Sequence, residues 1–275
     1  MADPDVPIRH APYAEGPADF AIGLRPIAPE AWLEGGEADP AARKDALFAA
    51  HPKLVWAQTE GSGPGQAEIA ALVEAAGVPL APSSLPPLLA AARAVPDDLC
   101  LMEKRQGDWR LTALSLCSGT FFTAEQAIGK SLAELHAPVP GYGERLLPRV
   151  ERIFDALGAE AILERRNWTV VNTDALFAPD PAPMRARIGG LSPETAGEAL
   201  FVRVERQTLR RLPATGGALF TIRVWRYPLA ALRAAPERLA AFARAWRQAS
   251  QPFRAYKKLG LYDDLVEGFL RASGE

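Results

Sequence analysis

Apolar positions recur along this chain with a period near two in some stretches and near 3.6 in others, which separates strands from helices. After an opening rich in Pro, Gly and Asp, "KLVWAQT" (53–59) reads as a short strand. "GSGPG" marks a turn, and "QAEIAALVEAAG" a helix with Ile69, Leu72, Val73 and Ala76 on one face. Strand, glycine turn and helix form the setting of a phosphate-binding loop. However, GxGxxG would need glycine at Gln66, and GxxxxGK[ST] is absent, so the stretch reads as a plain turn. "LPPLLAAARAVPDD" is helical after its prolines. "DLCLMEKR" and "DWRLTALSLC", joined by "QGD", predict a hairpin. Counting outward from that turn does not set Cys100 opposite Cys117, which argues against a disulfide.

"TAEQAIGKSLAELH" is short and helical. "GERLLPRVERIFDALG" carries Leu146, Leu147, Val150, Ile153, Phe154 and Leu157 at helical spacing, with Pro148 either starting or kinking the helix. "AILERRNWTVV" is a strand, and residues 178–197 read as a loop. "ALFVRVERQTLRRLP" and "ALFTIRVWRY", separated by "ATGG", predict a second hairpin of long strands. Two helices end the chain. One presents Leu239, Phe242 and Trp246; the other presents Leu261, Leu265, Phe269 and Leu270.

Strands in adjacent antiparallel pairs, with helices grouped between them, predict an α+β fold. The expected architecture is an antiparallel sheet of about five strands, with helices on one face and extra terminal helices. Residues 1–45 read as an arm that wraps the domain, and residues 46–275 as a single domain.

Composition narrows the function. The chain has 275 residues, 48% of them hydrophobic, and a net charge of −2, which does not point to nucleic acid or a membrane. No run of eighteen apolar residues occurs, and the N-terminus has no apolar core of a signal peptide. The two cysteines form no CxxC, CxxCH or Cys–His zinc pattern. Structural zinc, iron–sulfur clusters and covalently attached haem are therefore not expected, and a cytoplasmic protein with reduced thiols is. GxSxG and HExxH are absent, and no histidine lies near Cys117 in sequence.

Candidate chemistry gathers on "FVRVERQTLRR". Alternation sets Arg203, Glu205 and Gln207 on one face and Val202, Val204, Arg206 and Thr208 on the other. Such a polar row either meets solvent through cross-strand ion pairs or lines a polar pocket. Hairpin counting brings Arg223 near Arg206 and Gln207, and arginines beside a glutamate could bind an anion and keep a carboxylate ionised. In "RRNW", Arg165 and Asn167 share a face and Trp168 points to the core. His136 ends "SLAELH", where Pro138 and Pro140 stop the helix. The imidazole either caps its helix or is held stiffly as a ligand to a metal or haem iron.

"DDLCLMEK", "SLAELHAPVPGY", "RRNW" and "LFVRVERQTLRRLPATGGALFTIRVW", in this order, resemble the haem-dependent oxidative N-demethylase family, long catalogued as a domain of unknown function. "VERQTLRRLP" is the most specific piece and "LHAPVP" the second. The resemblance implies a PAS-like fold and a non-covalent haem b, with His136 as axial ligand. It also implies O2-dependent demethylation of a small secondary amine such as dimethylamine, with formaldehyde released. On that reading Arg223 or Arg206 would stabilise bound oxygen. Glu205 would hold the ammonium or take its proton. Arg165, Arg203, Asn167 and Tyr142 would contact the cofactor. The family's Ser-aromatic pair ahead of the histidine is replaced here by Phe121 and Phe122. Turnover would need electrons from a separate flavin or iron–sulfur reductase; a homo-oligomer is one option, which the sequence does not decide. A haem-binding sensor or carrier without catalysis is the alternative, and a PAS-like module without haem a third.

Overall fold

Seven strands are defined: β1 (Arg25–Ile27), β2 (Trp56–Gln58), β3 (Asp98–Arg105), β4 (Asp108–Ser115), β5 (Ile162–Val171), β6 (Phe201–Arg211) and β7 (Ala218–Pro228). They form one antiparallel sheet in the order β1-β5-β6-β7-β3-β4-β2. The computed structural model describes residues 8–16 and 18–275; residues 1–7 and 17, part of the expected arm, lie outside the described residues. The class is α+β, as the grouping of strands implies, but the expected count of five strands is corrected to seven. β1 was not expected, and β2 falls inside the expected strand "KLVWAQT"; each has only three residues, too few to show a period.

Turn chemistry sets both hairpins. Gln106 and Gly107 join β3 to β4 with φ of 54° and 93°, the pair of positive values that a tight turn matching strand twist requires. Cys100 pairs with Leu114, and both cysteines are free. At the far hairpin the register from Phe201↔Pro228 to Arg211↔Ala218 is unbroken. The period-two reading of β6 therefore holds along its whole length.

Helices cover both faces of the sheet, not one. On one face the helix Gly63–Ala75 and the helix Pro87–Ala94 pack Ile69, Val73 and Leu88 against Leu99, Leu101 and Leu219. Farther along that face, Phe242, Trp246 and Phe253 from the C-terminal helices cover Trp168, Val202 and Val204. On the opposite face Leu132, Phe154 and Leu157 meet Cys100, Met102, Leu114 and Leu209. Burial of these apolar surfaces supplies most of the stabilisation, roughly 25 cal/mol per Å² removed from water.

Other expectations need local correction. "KLVWAQT" is a strand only over Trp56–Gln58, because Pro52 starts a helical turn, Pro52–Val55, at its favoured first position. "GSGPG" enters the helix itself. Gly65 lies against the sheet so closely that a Cβ there would sit 2.8 Å from a Leu101 methyl, so this glycine serves close packing. Pro148 starts the helix Leu147–Ala156 and does not kink it. The loop 178–197 contains a helix, Ala182–Ile188. Leu261 lies outside the last apolar face at 49% exposure, on a 3-10 turn, and Val266 is buried with Leu265, Phe269 and Leu270. Among the described residues no helix is long and apolar enough to cross a membrane.

Candidate active site

Directly paired residues of antiparallel strands project to the same face. Asn167 pairs with Glu205, Arg165 with Gln207 and Thr169 with Arg203, so Arg165, Asn167, Arg203, Glu205 and Gln207 share one face. His136 and Tyr142 come to the same face from the segment between β4 and β5. Arg165 joins the two sets, lying near His136 and Tyr142 and also near Glu205. The structure does not bring Arg206 and Arg223 with them. These two pair with each other on the opposite face. There Arg206 binds Glu164 and the carbonyls of Ala31 and Trp32, and Arg223 lies 3.6 Å from Glu37 and stacks on Trp225. The expected group of two arginines beside Glu205 is thus split by the thickness of the sheet. Glu34 and Glu37, the partners of these arginines, come from the N-terminal segment, which sequence spacing does not connect to β6 and β7. An open cleft of about 430 Å³ on that face is lined by Arg25, Glu34, Glu164 and Arg206, which are already ion-paired.

Local sequence fixes His136. The helix Leu132–Leu135 opens with a reciprocal cap, in which the Ser131 side chain accepts from the Glu134 backbone and the Glu134 carboxylate accepts from Ser131. His136 follows as the C-terminal cap, and its Nδ1 lies 2.9 Å from the Leu132 carbonyl oxygen. A carbonyl only accepts, so Nδ1 carries the proton and Nε2 keeps its lone pair. Nε2 makes no hydrogen bond among the described residues. Burial lowers the pKa of this imidazole, opposed by the Leu132 bond and aided by Arg165, so the neutral form is favoured. The Tyr142 ring stacks on it at 4.3 Å and 11°. Tyr142 opens a single wide helical turn, Tyr142–Leu146, set by Gly141 at φ 69°. The other two histidines differ: His10 is bound to Glu34 at 2.9 Å, and His51 is exposed. The helix-capping alternative is thus seen at Nδ1, while Nε2 is left without a hydrogen-bond partner among the described residues.

On the same face of the sheet, Glu205 lies deep in the molecule yet keeps 28% of its side chain accessible. Its Oε2 accepts from Asn167 Nδ2 at 3.1 Å and from Gln207 Nε2 at 3.0 Å. Arg203 Nε stands 3.9 Å from Oε1. Burial pushes this carboxyl up, but Lys257, Arg203 and the two amides together hold it below its usual range. Arg203 is anchored elsewhere too, donating to the carbonyls of Leu176 and Ser118. The Ser118 loop is fixed in turn by Asp98, whose carboxylate accepts from the backbone of Cys117 and Ser118 at 2.7 and 2.9 Å.

Two donors beside His136 have no partner among the described residues. The Tyr142 hydroxyl is buried without a hydrogen bond, and burial raises its pKa to about 12. The Arg165 guanidinium, lowered in pKa by burial and next to Tyr142 and Glu205, makes no hydrogen bond or ion pair among the described residues. Buried donors of this kind are met in folded proteins by ordered water or by a bound group.

Sequence reasoning missed Lys257. It reaches Asn167 and Glu205 because the helix Gln251–Lys257 passes the part of β5 that β1 does not cover. Phe253 packs on Trp168 on one face, while Lys257 Nζ lies 3.3 Å from Asn167 Oδ1 on the other. The signal was present: Lys257 stands four residues after the buried Phe253, a helical spacing that turns a lysine inward. Of the two phenylalanines ahead of the histidine segment, Phe122 packs beneath the short helices, whereas Phe121 is 49% exposed at φ 60°.

A neutral imidazole with one free nitrogen, unpaired donors and one ionised carboxylate thus gather on one face of the sheet. No group of three or more His, Cys, Asp or Glu side chains suited to a metal ion occurs among the described residues. A family model for the haem-dependent oxidative N-demethylase, alpha subunit-like, matches residues 42–267, and the chain belongs to that family.

Proposed function

We propose that this protein binds haem b non-covalently through His136 Nε2 and uses O2 to remove a methyl group from a small secondary amine. The observation that carries the reading is the Nδ1 bond of His136 to the Leu132 carbonyl. It leaves a neutral, oriented Nε2, as an axial ligand requires. The residues present fit the group: Tyr142 braces the imidazole, Arg165 offers a free cation to a carboxylate, and Phe220, Leu163 and Leu135 supply apolar surface nearby. When bound, haem supplies O2 activation and oxidation of the methyl carbon.

The chain's own residues account for the amine. Glu205 Oε1 accepts no close hydrogen bond, while Oε2 is saturated by two amides. A carboxylate held below its usual range is a poor base, so Glu205 suits holding the ammonium better than deprotonating it. Demethylation of dimethylamine consumes O2, two electrons and two protons and yields methylamine, formaldehyde and water. The electrons are assigned to a separate flavin or iron–sulfur reductase. We read the sheet as PAS-like, residues 1–45 as an arm and residues 46–275 as one domain, in a cytoplasmic protein.

The test adds ferric haem to purified protein and records the Soret band. Wild type is expected to give the band of axial imidazole ligation, and His136→Ala to lose it. With O2 and a reductase, dimethylamine is expected to release formaldehyde. Absence of the band in wild type overturns the reading. A band without formaldehyde from any secondary amine leaves a haem sensor or carrier.

A further inference from the structure

The cations on the His136 face of the sheet divide into one that is engaged and two that are free. Arg203 donates to the Leu176 and Ser118 carbonyls and faces Glu205, so its guanidinium is committed to the protein. Arg165 has no partner among the described residues. Lys257 makes one hydrogen bond, to the neutral amide oxygen of Asn167 at 3.3 Å, lies over the rings of Phe253 and Tyr256 at 6.0 and 5.7 Å, and has no carboxylate within ion-pair distance among the described residues. Burial lowers the pKa of both free cations, with Glu205 acting against it in each case. Both lie on the sheet face that carries Glu205 and His136.

Three cations here face one carboxylate, which is the wrong balance for a site that must receive an ammonium. A ligand bearing two carboxylates corrects it. We propose that Lys257 and Arg165 form a paired anchor for the two carboxylates of a dianionic porphyrin, in place of the expected pair of Arg165 and Arg203. This rests on the reading of this face as a haem site. The anchor draws one cation from β5 and the other from the C-terminal helical segment, so a bound porphyrin ties that segment to the sheet. It also orders assembly: a cationic amine meets a balanced site at Glu205 only after the dianion is in place.

Metal-free protoporphyrin IX and its dimethyl ester separate this idea from iron ligation, since neither needs His136. Binding is read by porphyrin fluorescence in wild type, Lys257→Met, Lys257→Arg and Arg165→Met, with circular dichroism as a folding check. The diacid is expected to bind wild type and to weaken about tenfold in each Met variant, the size of one charge-assisted contact. Lys257→Arg should retain most of the affinity. The ester should bind weakly and equally to all four proteins. Equal binding of diacid and ester, or unchanged diacid affinity in Lys257→Met, overturns the anchor. So does failure of the diacid to bind wild type. If the diacid binds through both cations while ferric haem gives no imidazole-ligated band, the anchor stands and the catalytic reading fails.

Discussion

Arg206 and Glu164 form an ion pair with both side chains almost fully buried, on the face of the sheet opposite His136. The guanidinium spends its other donors on the Ala31 and Trp32 carbonyls, and Glu164 also receives Arg166. Removing one partner of such a pair leaves an uncompensated charge. Arg206→Leu is expected to destabilise the fold by about 3 kcal/mol, eased by Arg25 and Arg166 near Glu164. Urea unfolding measures the loss, and haem affinity of the folded fraction should stay near wild type.

Glu205→Gln separates the carboxylate's charge from its shape. The amides of Asn167 and Gln207 can still meet an oxygen, but the charge is gone. The KM for dimethylamine is expected to rise by about 2 kcal/mol, roughly thirtyfold, with a smaller change in kcat. Steady-state formaldehyde release gives both constants.

Asp97 introduces a pH dependence. Its carboxylate is fully buried, both oxygens lack hydrogen bonds, and burial raises its pKa to about 6, against the pull of Arg223, Lys44 and Arg206. A folded value above the unfolded one means the stability it contributes is full below about pH 4 and is lost as pH rises through about 6. The difference in unfolding free energy, wild type minus Asp97→Asn, should therefore fall by roughly 2–3 kcal/mol between pH 4 and pH 7.5. A flat difference across that range would show that Asp97 does not titrate in the folded protein.

Gly65→Ala tests the packing role of "GSGPG". The added methyl meets both Leu101 methyls, at 2.8 and 3.0 Å. Overpacking of this kind costs about 1–3 kcal/mol, less whatever the alanine gains as a helix former. A lowered melting temperature with normal haem binding is the expected result.

What the sequence disclosed depended on the range of the forces involved. The hairpins were legible because strand alternation and turn residues are local, as Gln106 and Gly107 illustrate. The polar row Arg203, Glu205 and Gln207 was legible for the same reason, being unexpected on an otherwise buried strand. The short strand Arg25–Ile27 was not, since pairing with distant chain and not its own pattern makes it a strand, and the strand read at "KLVWAQT" proved to extend only over Trp56–Gln58. The separation of Arg206 and Arg223 from Glu205 follows from alternation, but their carboxylate partners come from the N-terminal segment. Lys257 depends on how a C-terminal helix rounds the edge of β5. His136 was legible as a helix end. The stacking of Tyr142 required the wide turn after Gly141, which has no sequence period.

The family model begins at residue 42, whereas Trp32 is 1% exposed and donates its indole N–H to Thr208 in the middle of the sheet. Inherited likeness and physical completeness therefore have different borders in this chain. A recombinant piece trimmed to the family border would leave a tryptophan-sized void over the central strands and deprive a guanidinium of its carbonyl acceptors. The shortest version that keeps this sheet sealed has to begin ahead of Arg25.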